Sequence, residues 1–319
     1  MAFIRRLSTP QAVARGFSVA SREKRVQYRN MKISTKEYLV KEGKKVRLSH
    51  WPTKVAPLYK SEQGYKELLE KHVKEMNARQ GLLYANARHS LLVIFQAMDA
   101  AGKDGAIKHV MSGLNPQACQ VYSFKQPSSA ELAHDFLWRT NCCLPERGRI
   151  GIFNRSYYEE VLVVRVHPEI LAHESLPPEV TGGKNFWEKR MRSITDLERH
   201  LHRNGTHVIK FFLHISKEEQ RKRFLRRIDD PTRNWKFSEA DIKERAFWKN
   251  YMKAYEDCFN ATSIDQSPWY VIPADDKLNA RLIVSQVILN TLEKLKLAYP
   301  QSSPQRLKEL ASLKKSLAK

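Results

Sequence analysis

Five short apolar runs recur along the chain, and stretches with apolar residues at every third or fourth position follow them. The runs cover residues 91–95, 120–124, 149–153, 207–215 and 269–272. Near-continuous apolar strands that alternate with helices predict a parallel sheet covered on both faces. A further helix is predicted ahead of the first run. The pattern therefore predicts an α/β fold, a three-layer sandwich around a central parallel sheet of about five strands.

A loop of small and polar residues follows the first apolar run and leads into a helical pattern. Small residues at such a turn let backbone N–H groups close around phosphate oxygens, and the helix N-terminus adds partial positive charge. Lys103 stands where the lysine of a phosphate-binding loop reaches the outer phosphates. We therefore predict that the segment binds phosphate through Asp99, Ala100, Ala101, Gly102, Lys103, Asp104 and Gly105.

This loop departs from the usual pattern G-x-x-x-x-G-K-[ST] in two places. Ala97 replaces the first glycine, and Asp104 replaces the serine or threonine that usually binds magnesium. Asp99 adds an acid inside the loop, where most such loops have none. An ordinary strand-to-helix turn with a surface lysine remains the alternative interpretation.

Polar residues also follow the second and third apolar runs. Ligands bind at the carboxyl ends of strands in doubly wound sheets, so Lys125, Asn154 and Arg155 are candidates for phosphate binding. Glu159, about one helical turn later, could supply the metal-binding carboxylate that Asn154 lacks. Arg139 is a candidate for the same site, although it suits a structural ion pair equally well.

A segment rich in arginine, over about residues 216–250, follows the fourth run. Arg223 and Arg227 fall on one helical face, and Lys236 lies just past a proline that ends the helix. Kinases often close an arginine-bearing lid over the phosphates, which neutralises their charge and excludes water. We predict a helical lid with these three cations facing phosphate. The alternative is a solvated helix with its arginine stems lying along the surface.

Charge and composition narrow the class of protein. The 319 residues carry a formal net charge of +22, typical of a protein with a polyanionic partner. Residues 1–60 hold 15 of the 56 Lys and Arg residues but only 3 of the 34 Asp and Glu residues. Residues 1–30 are therefore predicted to be a basic extension, disordered or used for targeting, ahead of a single catalytic domain at 31–300 and a basic, frayed tail at 301–319.

Cysteine usage and hydropathy suggest where the protein resides. None of the four cysteines forms a C-x-x-C pair, and no apolar run approaches the length of a membrane-spanning helix. We therefore expect reduced thiols, no membrane span and a cytoplasmic protein. The basic extension at residues 1–30 is also compatible with organelle targeting.

Several motifs occur together and in order between about residues 31 and 296. They are Asp99-Ala-Ala-Gly-Lys103, Leu137-Trp-Arg139, Phe153-Asn-Arg-Ser156, Gln220-x-x-Arg223-Phe224 and Asp230-Pro-x-x-x-Trp235-Lys236-Phe237. As a set they resemble the polyphosphate kinase 2 family. The resemblance implies a P-loop kinase-like fold with a helical lid, and phosphoryl transfer between inorganic polyphosphate and nucleotides.

The resemblance also implies roles for individual residues. Asp99 would help to hold Mg²⁺, or Mn²⁺, and orient the acceptor, Lys103 would bind the transferred group, and Arg155 and Arg223 would stabilise its charge. Asn154 followed by Glu159, the second expected metal ligand, resembles the subgroup that accepts both AMP and ADP. The family further implies a homo-oligomer, either a dimer or a tetramer.

Two other functions fit parts of the same sequence. A kinase of the nucleoside monophosphate type would share the fold but use ATP as the donor for a small acceptor. A non-catalytic, basic nucleic-acid-binding protein with a P-loop fold would explain the net charge and bind in a salt-sensitive way. The chain has no RNA-binding aromatic motif and no zinc pattern, so we expect no specific nucleic-acid partner.

Overall fold

The computed structural model describes residues 33–318, and the part from Thr35 onward forms one compact unit. A five-stranded parallel sheet lies at its centre, in the order β2-β3-β1-β4-β5. The strands are β1 (Ser90–Ala97), β2 (Cys119–Ser123), β3 (Ile150–Asn154), β4 (Thr206–His214) and β5 (Trp269–Pro273). All five strands predicted from the apolar runs are confirmed.

The first apolar run forms the central strand. β1 pairs with β3 on one side and with β4 on the other. The five residues from Leu91 to Phe95 are fully buried. Because both faces of a central parallel strand are covered, its sequence is continuously apolar instead of alternating.

Residues 33–318 also contain twelve α-helices. They are α1 (Glu62–Asn86), α2 (Lys103–Val110), α3 (Ser129–Leu132), α4 (Trp138–Asn141), α5 (Glu159–Val166), α6 (Pro178–Thr181), α7 (Phe186–Arg203), α8 (Lys217–Asp229), α9 (Glu239–Ala246), α10 (Trp248–Thr262), α11 (Lys277–Lys294) and α12 (Pro304–Leu317). Short 3-10 helices occur at Lys36–Tyr38, Leu48–His50, Pro116–Ala118, Pro168–Glu174 and Asn234–Lys236.

The larger helices form two groups that pack against the sheet. Helix α11 contacts both α1 and α2, and α5, α7 and α10 contact one another. Helix α11 has eleven of its 18 residues buried, as expected of a helix packed against several other elements. The three-layer α/β sandwich predicted from the sequence is confirmed.

Serine side chains cap the starts of two helices near the site. Ser128 and Glu131 form a complete capping box at the start of α3. Ser216 caps α8 by accepting a hydrogen bond from the Glu219 N–H at 3.0 Å. Helix α8 lies beside the loop that follows β1, since Gln220 Nε2 donates a hydrogen bond to the Asp99 carbonyl oxygen at 3.0 Å.

All five strands end at the same edge of the sheet. The chain leaves β1 toward β2 and leaves β3 toward β4, in opposite directions along the sheet. A crevice for ligands is expected where such connections diverge. The loops predicted to bind phosphate therefore converge on this edge.

The sequence predicted a basic extension at the start of the chain and a frayed tail at its end. The extension at residues 1–30, its boundary and its targeting role lie outside the described residues. The tail, expected to be frayed, instead contains α12, whose residues are all exposed. Among residues 33–318, no helix is both long enough and apolar enough to cross a membrane.

Candidate active site

The loop between β1 and α2 has a constrained backbone. Ala100 and Gly102 both lie in the left-handed region, with φ angles of 62° and 107°. Glycine adopts this conformation without steric cost, whereas alanine does so only when the surrounding structure imposes it. Lys103 begins α2, and its Nζ donates a hydrogen bond to the Ala97 carbonyl oxygen at 2.9 Å. The lysine thus lies folded along the loop.

Arg223, on α8, holds this loop in place. The side chain is 4% exposed. All five of its N–H donors are engaged at 2.7–3.0 Å, by Glu219 and by the carbonyl oxygens of Ala100, Ala101, Ala274 and Asp275. The sequence predicted a lid arginine that faces phosphate. The structure instead shows no free donor on Arg223, so in this arrangement its role is to tie the loop to the end of β5.

Burial and neighbouring carboxylates shift the pKa of the Lys103 amine in opposite directions. Burial lowers the pKa of its amine and the nearby Arg155 lowers it further, while Asp99, Glu159 and Asp104 act in the opposite direction. A bound phosphate stabilises the charged form of a buried amine, because the anion compensates for the lost solvation. The environment of Lys103 is therefore suited to binding a phosphate group.

Arg155 lies between two carboxylates at the carboxyl end of β3. Its guanidinium contacts Asp99 Oδ1 and Glu159 Oε2, each at 3.4 Å. Glu159 first, and then Asp99, raise the pKa of Arg155 against the opposing effect of burial. Its backbone lies in the left-handed region with φ 65°. This residue is therefore held in a constrained position beside the loop, and its contact with phosphate stays a prediction.

The predicted metal ligands fit Mg²⁺ only in part. Mg²⁺ prefers oxygen ligands and is usually bound by one or two carboxylates together with substrate phosphates. Asp99 lines the cavity described below, so its carboxylate can take this role. Glu159 does not line that cavity, and its carboxylate accepts hydrogen bonds from Gln96 at 2.8 Å and from Arg155. In this arrangement Glu159 contacts Arg155, and its role as a metal ligand stays a prediction.

The described part of the chain offers no richer metal site. Residues 33–318 contain no group of three or more His, Cys, Asp or Glu side chains that could hold a metal ion. A metal at Asp99 would therefore depend on substrate phosphates for most of its ligands.

Asn154 connects the end of β3 to the phosphate-binding loop. Its Nδ2 donates a hydrogen bond to Asp104 Oδ1 at 2.8 Å. An aspartate at position 154 would place a second negative charge against Asp104. The neutral amide therefore allows the Asp104 carboxylate to lie at this position without repulsion.

A cavity of about 1140 Å³ opens along the carboxyl edge of the sheet. Its walls include thirteen of the predicted site residues, namely Asp99, Ala100, Ala101, Gly102, Lys103, Asp104, Gly105, Lys125, Asn154, Arg155, Arg223, Arg227 and Lys236. Pockets for small molecules measure about 300–1,000 Å³. The cavity is thus large enough for more than a single small ligand.

The predicted lid segment forms one wall of this cavity. Arg227 lies 3.8 Å from Asp241, and Lys236 lies over the ring of Trp235, which is 78% exposed. Helix α9 has no buried residue. Loose packing of this kind is typical of segments that move over ligands, and closure of the segment stays a prediction.

Arg139 does not reach the cavity, contrary to its prediction as a phosphate-binding residue. It is 8% exposed, and it donates hydrogen bonds to the Lys125 carbonyl oxygen at 2.8 Å and to Glu160 Oε1 at 3.1 Å. Burial raises the pKa of Glu160 to about 7, and the charge of Arg139 opposes that shift. The alternative interpretation, a structural ion pair, describes this residue correctly.

Lys277 and Arg281 line the cavity from α11 and were missed in the sequence. Partial burial lowers the pKa of Lys277 to about 8, and four arginines add to the shift, namely Arg223, Arg226, Arg281 and Arg233. Lys277 directly follows Asp275 and Asp276 after the fifth apolar run. The strand-end argument applied to Lys125 and Arg155 would have found it.

The loop, its folded lysine, the guanidinium between two carboxylates and a broad cationic cavity are together suited to holding phosphate groups during transfer. With the parallel sheet, they define a P-loop kinase-like protein. The family model described as Polyphosphate kinase 2 (PPK2) matches residues 59–300. The chain belongs to the polyphosphate kinase 2 family.

Named relatives and a solved structure agree with this assignment. An ADP-polyphosphate phosphotransferase of Rhodopseudomonas palustris is 63% identical over 91% of this chain and all of its own length. An AMP/ADP-polyphosphate phosphotransferase of Meiothermus ruber is 46% identical over 70% of this chain and 79% of its own. The crystal structure of polyphosphate kinase 2 from Arthrobacter aurescens TC1 superposes with a TM-score of 0.77 at 36% identity, covering 86% of this chain and 95% of that one.

Proposed function

We propose that this protein transfers phosphoryl groups between inorganic polyphosphate and nucleoside mono- or diphosphates, with AMP and ADP as acceptors. The charge of the cavity carries the proposal. Within the described part of the chain, eleven Lys and Arg side chains line it, against two acidic ones, Asp99 and Asp104. A wall of this composition suits a long polyanion, and the names of the relatives support the same substrates.

The chemistry requires little covalent work from the protein. An oxygen of the acceptor's terminal phosphate attacks the terminal phosphorus of polyphosphate in line, and the phosphoanhydride bond to the rest of the chain breaks, so that polyphosphate shortened by one residue leaves. Positioning and charge neutralisation supply most of the rate enhancement. In this proposal the cavity-lining Lys103 and Arg155 bind the transferred group, and Arg223 holds the loop that precedes Lys103. A divalent ion, Mg²⁺ or Mn²⁺, when bound beside Asp99 would neutralise phosphate charge.

The proposal also specifies which nucleotides the protein accepts and that it forms a homo-oligomer. Asn154 and its hydrogen bond to Asp104 support acceptance of both AMP and ADP, as in the subgroup that the sequence resembles. Product chromatography after separate incubations with AMP and with ADP tests this. ADP formed from AMP, with no ATP formed from either acceptor, would contradict dual acceptance. Light scattering would measure whether the chain forms the expected dimer or tetramer.

Asp99→Asn is expected to lower the rate of nucleotide formation from polyphosphate at least about a hundredfold, because the cavity loses the carboxylate placed to hold the metal and orient the acceptor. Asp196→Asn, which changes an exposed acid on α7, is the matched control and should keep wild-type activity. Chromatography of ADP and ATP measures both variants. A folded Asp99→Asn protein with near-wild-type turnover would contradict the role of Asp99.

Affinity for polyphosphate is expected to fall about three- to tenfold between pH 7 and pH 9, because the pKa of Lys277 is about 8. The protonated amine, which binds anions, predominates below that value and is lost above it. The measurement is the KM for polyphosphate across this range.

Lys277→Arg supplies the control for this pH dependence. The guanidinium stays charged throughout the range, so the variant should show a flatter KM profile than the wild type. The same steep profile in both proteins would exclude Lys277 as the cause.

A further inference from the structure

A buried polar network lies beneath the turn that carries Arg155 and Glu159. Between these two residues, the side chains of Tyr157 and Tyr158 point into the interior and are fully buried. Both hydroxyls donate hydrogen bonds to Glu198 Oε1, at 2.9 Å and 2.8 Å. The turn is thus anchored to α7 by two hydrogen bonds to a single carboxylate oxygen.

The other oxygen of Glu198 connects this anchor to the sheet. Glu198 Oε2 accepts hydrogen bonds from Lys210 Nζ and from Ser267 Oγ, each at 2.6 Å. Lys210, on β4, also donates to the Tyr158 hydroxyl at 3.0 Å and to the Thr262 carbonyl oxygen at 2.8 Å. The network therefore joins the turn to α7, β4, the end of α10 and the segment before β5.

Stability alone does not account for such a network. Glu198 and Lys210 have fully buried side chains, and replacing a buried ion pair by apolar residues of similar volume is often neutral or stabilising. A fully satisfied polar network instead fixes one arrangement of the groups that it joins. Here that arrangement includes Arg155, whose left-handed backbone requires support from its surroundings.

We propose that Glu198, paired with Lys210, is a positioning residue for phosphoryl transfer, which acts through the tyrosine hydroxyls to hold Arg155 and Glu159 in place. This inference rests on the proposed function for its kinetic consequence. The backbone at Arg155 is fixed from both sides, since its N–H also donates to the Phe95 carbonyl oxygen on β1 at 3.0 Å.

The double variant Tyr157→Phe/Tyr158→Phe tests the proposal. It keeps both rings and leaves Glu198 bonded to Lys210 and Ser267, so it separates the turn from the ion pair. We expect kcat to fall at least about tenfold, because a misplacement of about 1 Å at a reacting centre costs up to about a hundredfold. The KM for polyphosphate should change less than about twofold, because many other cations bind the chain.

Ser285→Ala is the matched control. It removes another buried hydrogen bond, between Ser285 Oγ and His72 Nδ1 at 2.7 Å, at the contact of α1 and α11. Its thermal unfolding midpoint should fall, by less than in the double variant, with kcat unchanged. Equal kcat losses in the control and the double variant, or an unchanged kcat in the double variant, would overturn the proposal.

Amide hydrogen exchange over residues 154–160 gives a readout that is independent of activity. Exchange there should be faster in the double variant and unchanged in the control, and unchanged exchange in the double variant would overturn the inference. If the wild type fails to use polyphosphate, the proposed function fails while this readout remains valid. Should the double variant not fold, Tyr157→Phe alone, which leaves Tyr158 bonded to Glu198, should give the same changes to a smaller extent.

Discussion

Replacing Lys103 by alanine should lower kcat for polyphosphate-dependent transfer by roughly 10²- to 10³-fold, because the site loses a cation placed to stabilise charge on the transferred group. The fold should be retained. Burial lowers the pKa of this amine, so its charged form is less favourable in the folded protein than in the unfolded chain. Removing it should therefore leave the thermal unfolding midpoint unchanged or slightly higher.

Lys74→Ala provides the comparison for the Lys103 variant. It removes the same charge from an exposed position on α1 and should leave kcat near the wild-type value. Circular dichroism and steady-state kinetics on both proteins make the measurement. A folded Lys103→Ala protein that keeps near-wild-type kcat would show that the loop between β1 and α2 is not the phosphate-binding loop.

Arg223→Lys should be the most damaging conservative substitution in this site. Lysine has three N–H donors on a single atom and cannot reproduce the five hydrogen bonds of the guanidinium. Some of the carbonyl oxygens of Ala100, Ala101, Ala274 and Asp275 would then lose their partners in a buried setting. We expect a stability loss of about 2–4 kcal/mol and a fall in kcat of about a hundredfold, because the loop is no longer held.

Arg221→Lys is the matched control for Arg223. Arg221 lies on the same helix, is exposed and pairs with Glu218. The control should unfold within about 0.5 kcal/mol of the wild type and keep its activity. Denaturant unfolding together with kcat measures both. If Arg223→Lys resembled the control in stability and activity, the hydrogen bonds of Arg223 would not be what positions the loop.

The sequence predicted the fold well because the fold depends on local patterns. Buried parallel strands require continuous apolar runs, and each of the five runs formed a strand. The loop between β1 and α2 was predicted for the same reason, since Gly102 and Lys103 are adjacent in the chain. Local features of this kind can be read without knowing which segments meet.

The roles of individual side chains were harder to predict, because they depend on partners distant in the chain. Arg139 pairs with Glu160, and the carbonyl oxygens bound by Arg223 come from residues about 50 and 120 positions away. Glu159 accepts a hydrogen bond from Gln96 on β1, 63 positions earlier. Spacing along a helix shows which residues share a face, but it does not show which acceptors that face meets.

The two other functions considered for this chain predict different biochemical behaviour. An ATP-dependent kinase would need ATP as donor and would show no dependence on polyphosphate length. A nucleic-acid-binding protein would bind duplexes without turnover. Membership of the polyphosphate kinase 2 family favours neither of these functions. The three functions are distinguished by whether the purified protein transfers phosphoryl groups from polyphosphate, from ATP or from neither.

The most direct test is phosphorus-31 magnetic resonance of the purified protein with long-chain polyphosphate, ADP and Mg²⁺. The expected result is that each γ-phosphate of ATP gained is matched by one polyphosphate residue lost, without orthophosphate release. Loss of polyphosphate to orthophosphate alone, or no change in either in a folded protein, would contradict transfer from polyphosphate to a nucleotide.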